Sequence, residues 1–262
     1  MKILLSGGSG FIGSELIAKN PKYKFYIYTK SIKSKKLLSK KFKFLNFASK
    51  KNLKNLKIDV IIHCASPNDV QSNNDFKKAL KGTFLYTSEL INLSKKLKPK
   101  KFIYLSTAQI YGKNLIESVS EKKIPLPLNN YGLFHKFSED LVARENYNQS
   151  NTEYISLRLS NVLGLPSIFK KNLNRLIYFD VINQAISGDI TLRSSGNQKR
   201  NFITLTDLLN AIKKIIIKKK TSGNIYNLGG KKFTIISLVK KINKILLIKF
   251  KIKRQIRILS QK

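Results

Sequence analysis

The stretch KILLSGGSGFIG, Lys2 to Gly13, narrows the possible folds more than any other part of the chain. A short apolar run passes straight into Gly7, Gly8 and Gly10, and Gly13 closes the pattern. The spacing fits Gly-x-Gly-x-x-Gly from Gly8 and Gly-x-x-Gly-x-x-Gly from Gly7. A strand that feeds a helix through so tight a turn needs residues without a Cβ. The last glycine lets the helix lie close on the sheet. The helix N-terminus, opened by Phe11 and Ile12, then presents backbone N–H groups to an anion.

The rest of the chain repeats the alternation of strand and helix. Lys24 to Thr29 (KFYIYT) and Phe42 to Phe47 read as the second and third strands. Ile58 to His63 (IDVIIH) is a continuous apolar run, typical of a strand buried on both faces. Phe76 to Leu97 places Phe76, Leu80, Phe84, Leu90 and Ile91 at helical spacing. Lys101 to Ser106 is a strand, Tyr131 to Tyr147 a helix, and Tyr154 to Ser160 a strand. The Lys-rich stretch Lys30 to Lys41 reads as a solvated loop or helix face. This order predicts an α/β fold, a doubly wound parallel sheet of the Rossmann kind with right-handed crossovers.

Beyond Gly164 the pattern loosens. Asn174 to Ser187 is a helix candidate, and Asp189 to Arg193 and Asn201 to Leu205 are short strands. Thr206 and Asp207 are read as the cap of a helix reaching Lys218. Asn224 to Leu228 is a strand, Thr234 to Leu246 a helix, and Ile248 to Ile252 alternates like a half-exposed strand. The expected division is a dinucleotide-binding domain of residues 1–165 plus about 201–230. A smaller C-terminal substrate lobe takes about 166–200 plus 231–262.

Composition bounds the partners. With 262 residues, 42% of them hydrophobic, the chain can bury a sizeable core. One cysteine, Cys64, excludes an internal disulfide and fits a reducing compartment. No apolar run approaches the roughly 18–20 residues that cross a bilayer, and the N-terminal run is too short for a signal peptide. The expected location is the cytoplasm. The net charge of +37 is extreme, but Lys far outnumbers Arg and is spread along the whole length. That distribution argues for compositional drift and against a nucleic-acid partner, whose recognition favours Arg. The charge still attracts small anions such as nucleotides. Two histidines and one cysteine, widely spaced, make no metal-ligand set.

In dinucleotide-binding folds an acidic residue at the end of the second strand binds the ribose 2′-hydroxyl of NAD. Here that strand ends Tyr28-Thr29-Lys30, without an acid. Lys30, with Lys33 or Lys35, is placed to meet a 2′-phosphate. The reading leans to NADP over NAD.

Taken together the motifs resemble the NAD-dependent epimerase/dehydratase family of the extended short-chain dehydrogenase/reductase superfamily, which acts on nucleotide sugars. GGSGFIG, with Gly7, Gly10, Phe11, Ile12 and Gly13, is similar to its cofactor loop. Asn46, beside Phe47, stands where a family Asp contacts adenine. Asp59-Val-Ile-Ile-His-Cys64-Ala65-Ser66 resembles the strand lining the nicotinamide ribose. Ser106-Thr107-Ala-Gln-Ile-Tyr-Gly112 is similar to the serine/threonine motif. Tyr131, with Glu139 in register, matches the catalytic helix. Asn161 lies in the segment after the sixth strand, and Arg200 and Asn227 lie in segments around the sugar-nucleotide site. Ser106, Asn161, Arg200 and Asn227 are thereby implied as substrate contacts.

The resemblance implies hydride transfer at a sugar carbon, with Tyr131 as general acid/base and Thr107 orienting the substrate oxygen. An unperturbed phenol has a pKa near 10, so such chemistry needs a cation beside it. The family supplies a Lys four residues after the Tyr, and here that residue is His135. As an imidazole it can bond a ribose hydroxyl, and as a cation it can lower the phenol pKa. Ala79 stands in place of a family Asn. Ala108 and Gln109 stand where sugar dehydratases carry two acids, which disfavours elimination and leaves epimerisation or ketosugar reduction. The chain also stops some tens of residues short of typical members, so the substrate lobe is expected to be incomplete or closed by a partner. A homodimer through the helices near 76–97 and 131–147 is implied. The competing expectation is a catalytically weakened dinucleotide-binding protein.

Overall fold

Apolar residues on both faces of Lys2–Ser6 make this segment an interior strand, β1, of the sheet in the computed structural model. The model describes residues 1–49, 52–53, 56–112, 119–148, 151–221 and 224–259. After β1 come α1 (Phe11–Lys19), β2 (Lys24–Tyr28), α2 (Ile32–Lys41), β3 (Asn46–Ala48) and β4 (Val60–His63). Then follow α3 (Asp69–Asn74), α4 (Phe76–Ala79), α5 (Tyr86–Leu97), β5 (Lys101–Thr107), α6 (Asn130–Arg144) and β6 (Glu153–Leu159). The remainder runs β7 (Asn161–Leu163), α7 (Ile177–Ser187), β8 (Ile190–Leu192), β9 (Lys199–Thr204), α8 (Leu205–Ile217), β10 (Ile225–Leu228), β11 (Lys231–Thr234), α9 (Ile235–Phe250) and β12 (Ile256–Ile258).

Seven strands form one parallel sheet in the order β10-β6-β5-β4-β1-β2-β3. Ile3, Leu4, Leu5, Ile61, Ile62, Phe102 and Ile103 are fully enclosed in it. Burying each side chain of this size contributes roughly 1.5–3 kcal/mol. The order reverses between β1 and β4, which opens a crevice beyond their C-terminal ends, where doubly wound sheets hold ligands.

Two compact units divide the chain. The larger is Met1–Ser160, Gly164–Ile168 and Leu205–Leu228. The smaller is Asn161–Leu163, Phe169–Thr204 and Gly229–Lys262, with a three-stranded sheet β11-β9-β7 and a pair β12-β8. Its core gathers Val181, Ala185, Ile190, Phe202, Leu238, Val239 and Ile242. Residues 201–204, assigned from sequence to the larger domain, pair in the smaller unit because β9 takes β7 and β11 as neighbours.

Several elements differ from their sequence reading. The helix expected over 76–97 is broken by a π-helical turn, Leu80–Leu85. There Gly82 passes Pro67 so closely that a Cβ would lie 2.5 Å from its ring. The Lys-rich stretch forms α2, capped by Ser31, whose side chain accepts from the Ser34 N–H. The strand expected at 248–252 is helix, because α9 continues to Phe250 and Lys251 ends it in the left-handed conformation. The terminal strand comes later, at Ile256–Ile258. Among the described residues, no helix is long and apolar enough to cross a membrane.

Candidate active site

The glycine turn and the end of β4 are packed against each other. Gly7 has φ +74°, and a Cβ there would lie 2.8 Å from the Ala65 nitrogen. Gly13 faces the same turn from α1, where a Cβ would come within 2.3 Å of the Gly7 carbonyl oxygen. Gly10 closes the turn by donating its N–H to that oxygen at 2.9 Å. No side chain caps α1, whose first turn is Phe11, Ile12 and Gly13, and that turn carries no acid. Beside the turn lies a groove of about 570 Å³, lined by Gly7, Gly8, Thr29, Lys30, Ala65 and Glu89 among others.

From Ala65 the chain continues to Ser66 and, through it, to His135. Ser66 Oγ donates to the Pro67 carbonyl at 2.9 Å and lies 2.9 Å from Thr83 Oγ1 and 3.3 Å from His135 Nε2. With its one proton on Pro67, Ser66 accepts from the imidazole, so His135 carries its proton on Nε2. The Tyr104 hydroxyl then donates to Nδ1 at 2.7 Å. His63 is arranged the same way. Thr87 Oγ1 donates to the Thr83 carbonyl, so it accepts from His63 Nε2 at 3.0 Å, and Ser6 Oγ donates to Nδ1 at 2.7 Å.

Burial lowers the pKa of both imidazoles to about 3, with the neighbouring His135 adding to the effect on His63. Burial likewise raises the Tyr104 phenol, which keeps its proton and its donor role. His135 is therefore a neutral imidazole. This enclosure disfavours the cationic His135 considered from the sequence as the group that lowers the Tyr131 pKa.

Tyr131 is the second residue of α6. Its ring meets that of His135 edge-on, with centroids 4.5 Å apart, and its backbone N–H donates to Asn73 Oδ1 at 3.2 Å. Asn129 caps the helix by accepting from the Gly132 N–H at 2.8 Å and also reaches Gln109 Oε1. A Cβ on Gly132 would lie 2.9 Å from the Gln109 carbonyl oxygen. The start of α6 thus presses on the 3₁₀ turn Ala108–Tyr111 directly after Thr107. Thr107 ends β5, is buried, and accepts from the Gln109 N–H at 3.2 Å. Ser106, next to it, is buried and its hydroxyl has no partner among the described groups.

The other predicted residues lie as follows. Asn46 and Phe47 pair with Tyr26 and Ile27 on the far edge strand and are not among the residues lining the groove; Asn46 Nδ2 turns back to the Phe25 carbonyl. Cys64 lies at the end of β4, where burial pushes its thiol up and keeps it protonated. Asn227, expected on substrate, accepts from the Tyr111 hydroxyl at 2.8 Å and donates to the Val119 carbonyl. It belongs to a structural network, because Tyr111 is itself held by Arg158 Nη1 at 2.6 Å, and Arg158 is paired in the interior with Glu139 at 2.8 Å. Asn161 and Arg200 belong to the smaller unit. There Asn161 donates to the Asn201 carbonyl at 2.9 Å, and Arg200 is exposed on β9. Among the described residues no group of three His, Cys, Asp or Glu gathers into a metal site.

A profile of the NAD dependent epimerase/dehydratase family matches residues 3–229. The chain belongs to the NAD-dependent epimerase/dehydratase family. Within this family it is 32% identical to dTDP-D-glucose 4,6-dehydratase of Dictyostelium discoideum, over 87% of this chain and 58% of that protein. It is 27% identical to the human dTDP-D-glucose 4,6-dehydratase, over 92% of this chain and 73% of that one. Its fold is similar to UDP-glucuronic acid 4-epimerase from Bacillus cereus, solved in complex with UDP-glucuronic acid and NAD. The TM-score is 0.81 at 25% identity, covering 100% of this chain and 87% of that chain. The chain thus spans little more than half the length of the Dictyostelium relative.

Two features of this family member were not found from the sequence. Tyr104 reads there only as an apolar strand residue, and Glu89 only as one charged residue on a helix. Neither carries a motif; both acquire their meaning from strand and helix register.

Proposed function

We propose that the protein is a nucleotide-sugar 4-epimerase or ketosugar reductase that uses a nicotinamide dinucleotide. The observation that supports this most directly is the seating of α6 on the turn after Thr107, with His135 of the same helix 3.3 Å from Ser66, the residue after Ala65. The residues present fit a dinucleotide. Gly7 and Gly13 leave a cradle that any Cβ would fill, the α1 N-terminus is uncapped by a side chain, and the groove beside them is open.

A bound nicotinamide would supply the acceptor and donor of hydride. Tyr131 would take the proton of the sugar hydroxyl and return it, and Thr107 would hold the sugar oxygen in line. His135, a neutral Nε2–H donor toward Ser66, would orient a ribose hydroxyl and supply no charge. Ala108 and Gln109 bring no carboxyl to the site, so we read elimination of water as disfavoured, although the relatives of highest identity above are named dehydratases. Ser106, Asn161 and Arg200 remain proposed substrate contacts. A homodimer and a cytoplasmic location belong to the same proposal.

A second reading has its own observation. With His135 neutral, no cation at the position of the family Lys assists Tyr131, which favours a catalytically weakened protein that binds the dinucleotide and senses it or engages a partner. Incubation with NAD or NADP and a panel of UDP- and dTDP-sugars, with product analysis, separates the two. Conversion lost in Tyr131→Phe supports the enzyme. Dinucleotide binding without conversion of any sugar supports the second reading.

A further inference from the structure

The end of β2 lacks the acid that ordinarily takes the adenosine 2′-hydroxyl, and Thr29 stands in its place. A carboxylate from another element lines the same groove. Glu89, on α5, lines the glycine groove and accepts from the Tyr28 hydroxyl at 2.8 Å and from Lys30 Nζ at 2.9 Å. Its two named partners are the sequence neighbours of Thr29 on either side. Thr29 and the Glu89 carboxylate thus line one groove.

That carboxylate is held firmly. Tyr28 is buried, its ring stacks on Tyr86 with centroids 6.3 Å apart, and the Tyr86 hydroxyl donates to the Tyr28 carbonyl at 3.2 Å. Burial, reinforced by Glu89 itself, pushes the Tyr28 phenol up, so it stays a donor. Lys30 is the cation that the sequence offered to a 2′-phosphate, and it is already paired with Glu89.

Resting on the dinucleotide reading above, the geometry points to Glu89 as the residue that selects NAD over NADP. A carboxylate only accepts hydrogen bonds. It takes a ribose hydroxyl as donor and repels a 2′-phosphate, and it withdraws Lys30 from that phosphate. The lean to NADP drawn from the end of β2 is reversed by a residue more than fifty positions further along the chain.

Calorimetric titration tests this without turnover. The ligands are NAD, NADP, and the fragments ADP-ribose and 2′-phospho-ADP-ribose, which report the adenosine end alone. The wild type is expected to bind the unphosphorylated member of each pair at least about tenfold tighter, the scale of one charge-assisted hydrogen bond. Glu89→Gln, which removes the charge and keeps the shape, should erase about tenfold of that ratio. Thr29→Asp in the Glu89→Gln background should restore it, and Lys30→Ala should leave the preference for NAD in place. A wild type that prefers the phosphorylated ligands overturns the assignment, as does a ratio unmoved by Glu89→Gln. Failure of the wild type to bind any of the four overturns the dinucleotide reading itself, and the assignment with it.

Discussion

The Tyr104 hydroxyl lies 2.7 Å from His135 Nδ1, and this contact fixes what the imidazole can do. It spends the acceptor nitrogen on a phenol inside the protein and leaves Nε2–H pointing to Ser66. In such an enclosure the ring stays neutral across the physiological range. This enclosed imidazole acts as a hydrogen-bond donor without charge.

The first prediction concerns His135 directly. Its ring signals in nuclear magnetic resonance should not titrate between about pH 5 and 8, the interval around an ordinary imidazole pKa. The rate of sugar conversion should likewise show no falling limb through that interval. Tyr104→Phe leaves Nδ1 without its donor and should lower stability by about 1–3 kcal/mol, read by urea unfolding. A titration midpoint near 6.5 for His135 in the wild type would mean that the ring is not enclosed as described.

Acid sensitivity follows from the two histidines together. Both have folded-state pKa values of about 3, below the ordinary 6.5. Between those values the unfolded chain binds protons that the folded chain does not. Stability is therefore complete above about pH 6.5 and is lost as the pH falls toward about 3, by up to about 1.4 kcal/mol per pH unit for each ring. Urea midpoints at pH 7, 6 and 5 should fall steadily, and His135→Gln should roughly halve the slope. A midpoint constant over that range contradicts the burial of the pair.

The Arg158–Glu139 pair is the third test. Both side chains are buried, Arg158 Nε bridges both carboxylate oxygens, and Nη1 holds Tyr111. Glu139→Ala leaves the guanidinium uncompensated in the interior and should cost about 3–5 kcal/mol. The same change should loosen Asn227 through Tyr111. Thermal unfolding measures the first effect, and amide exchange at Asn227 the second. A loss below about 1 kcal/mol, the scale of an exposed ion pair, would place the pair at the surface.

Glycine substitutions offer a paired comparison. Gly13→Ala puts a Cβ 2.3 Å from the Gly7 carbonyl oxygen, so either the turn or the helix must shift. Dinucleotide binding should fall at least about tenfold, since the cradle depends on close approach of backbone. Gly188→Ala meets nothing within 4 Å and should be tolerated. Equal binding by Gly13→Ala and wild type would remove the glycine turn from the site.

Much of this was legible in the sequence, and the reasons for the rest are physical. GGSGFIG and the buried run ending at His63 announce the parallel sheet, because glycine spacing and two-faced burial are local properties. Tyr131, Thr107 and His135 were proposed from motif, and α6 packs against the turn that follows Thr107. The charge state of His135 was not legible, because its enclosure comes from Tyr104 and Ser66, which are distant in the chain. Glu89 was missed for the same reason: its partners lie at the end of another strand. Asn227 is read as a substrate contact because its segment resembles one; its contacts to Tyr111 and Val119 come from segments distant in the chain and were not legible. The tail was read as strand because alternating Lys and apolar residues also fit the last turns of α9.

The central claim is that Tyr131 moves the proton of a sugar hydroxyl. Its most direct test is a single-turnover experiment with dinucleotide and nucleotide sugar, following nicotinamide absorbance and product together in wild type and Tyr131→Phe. The account predicts conversion by the wild type and a drop of at least about a hundredfold in the variant, the scale of one general acid/base, with dinucleotide affinity unchanged. Conversion undiminished in Tyr131→Phe would contradict it.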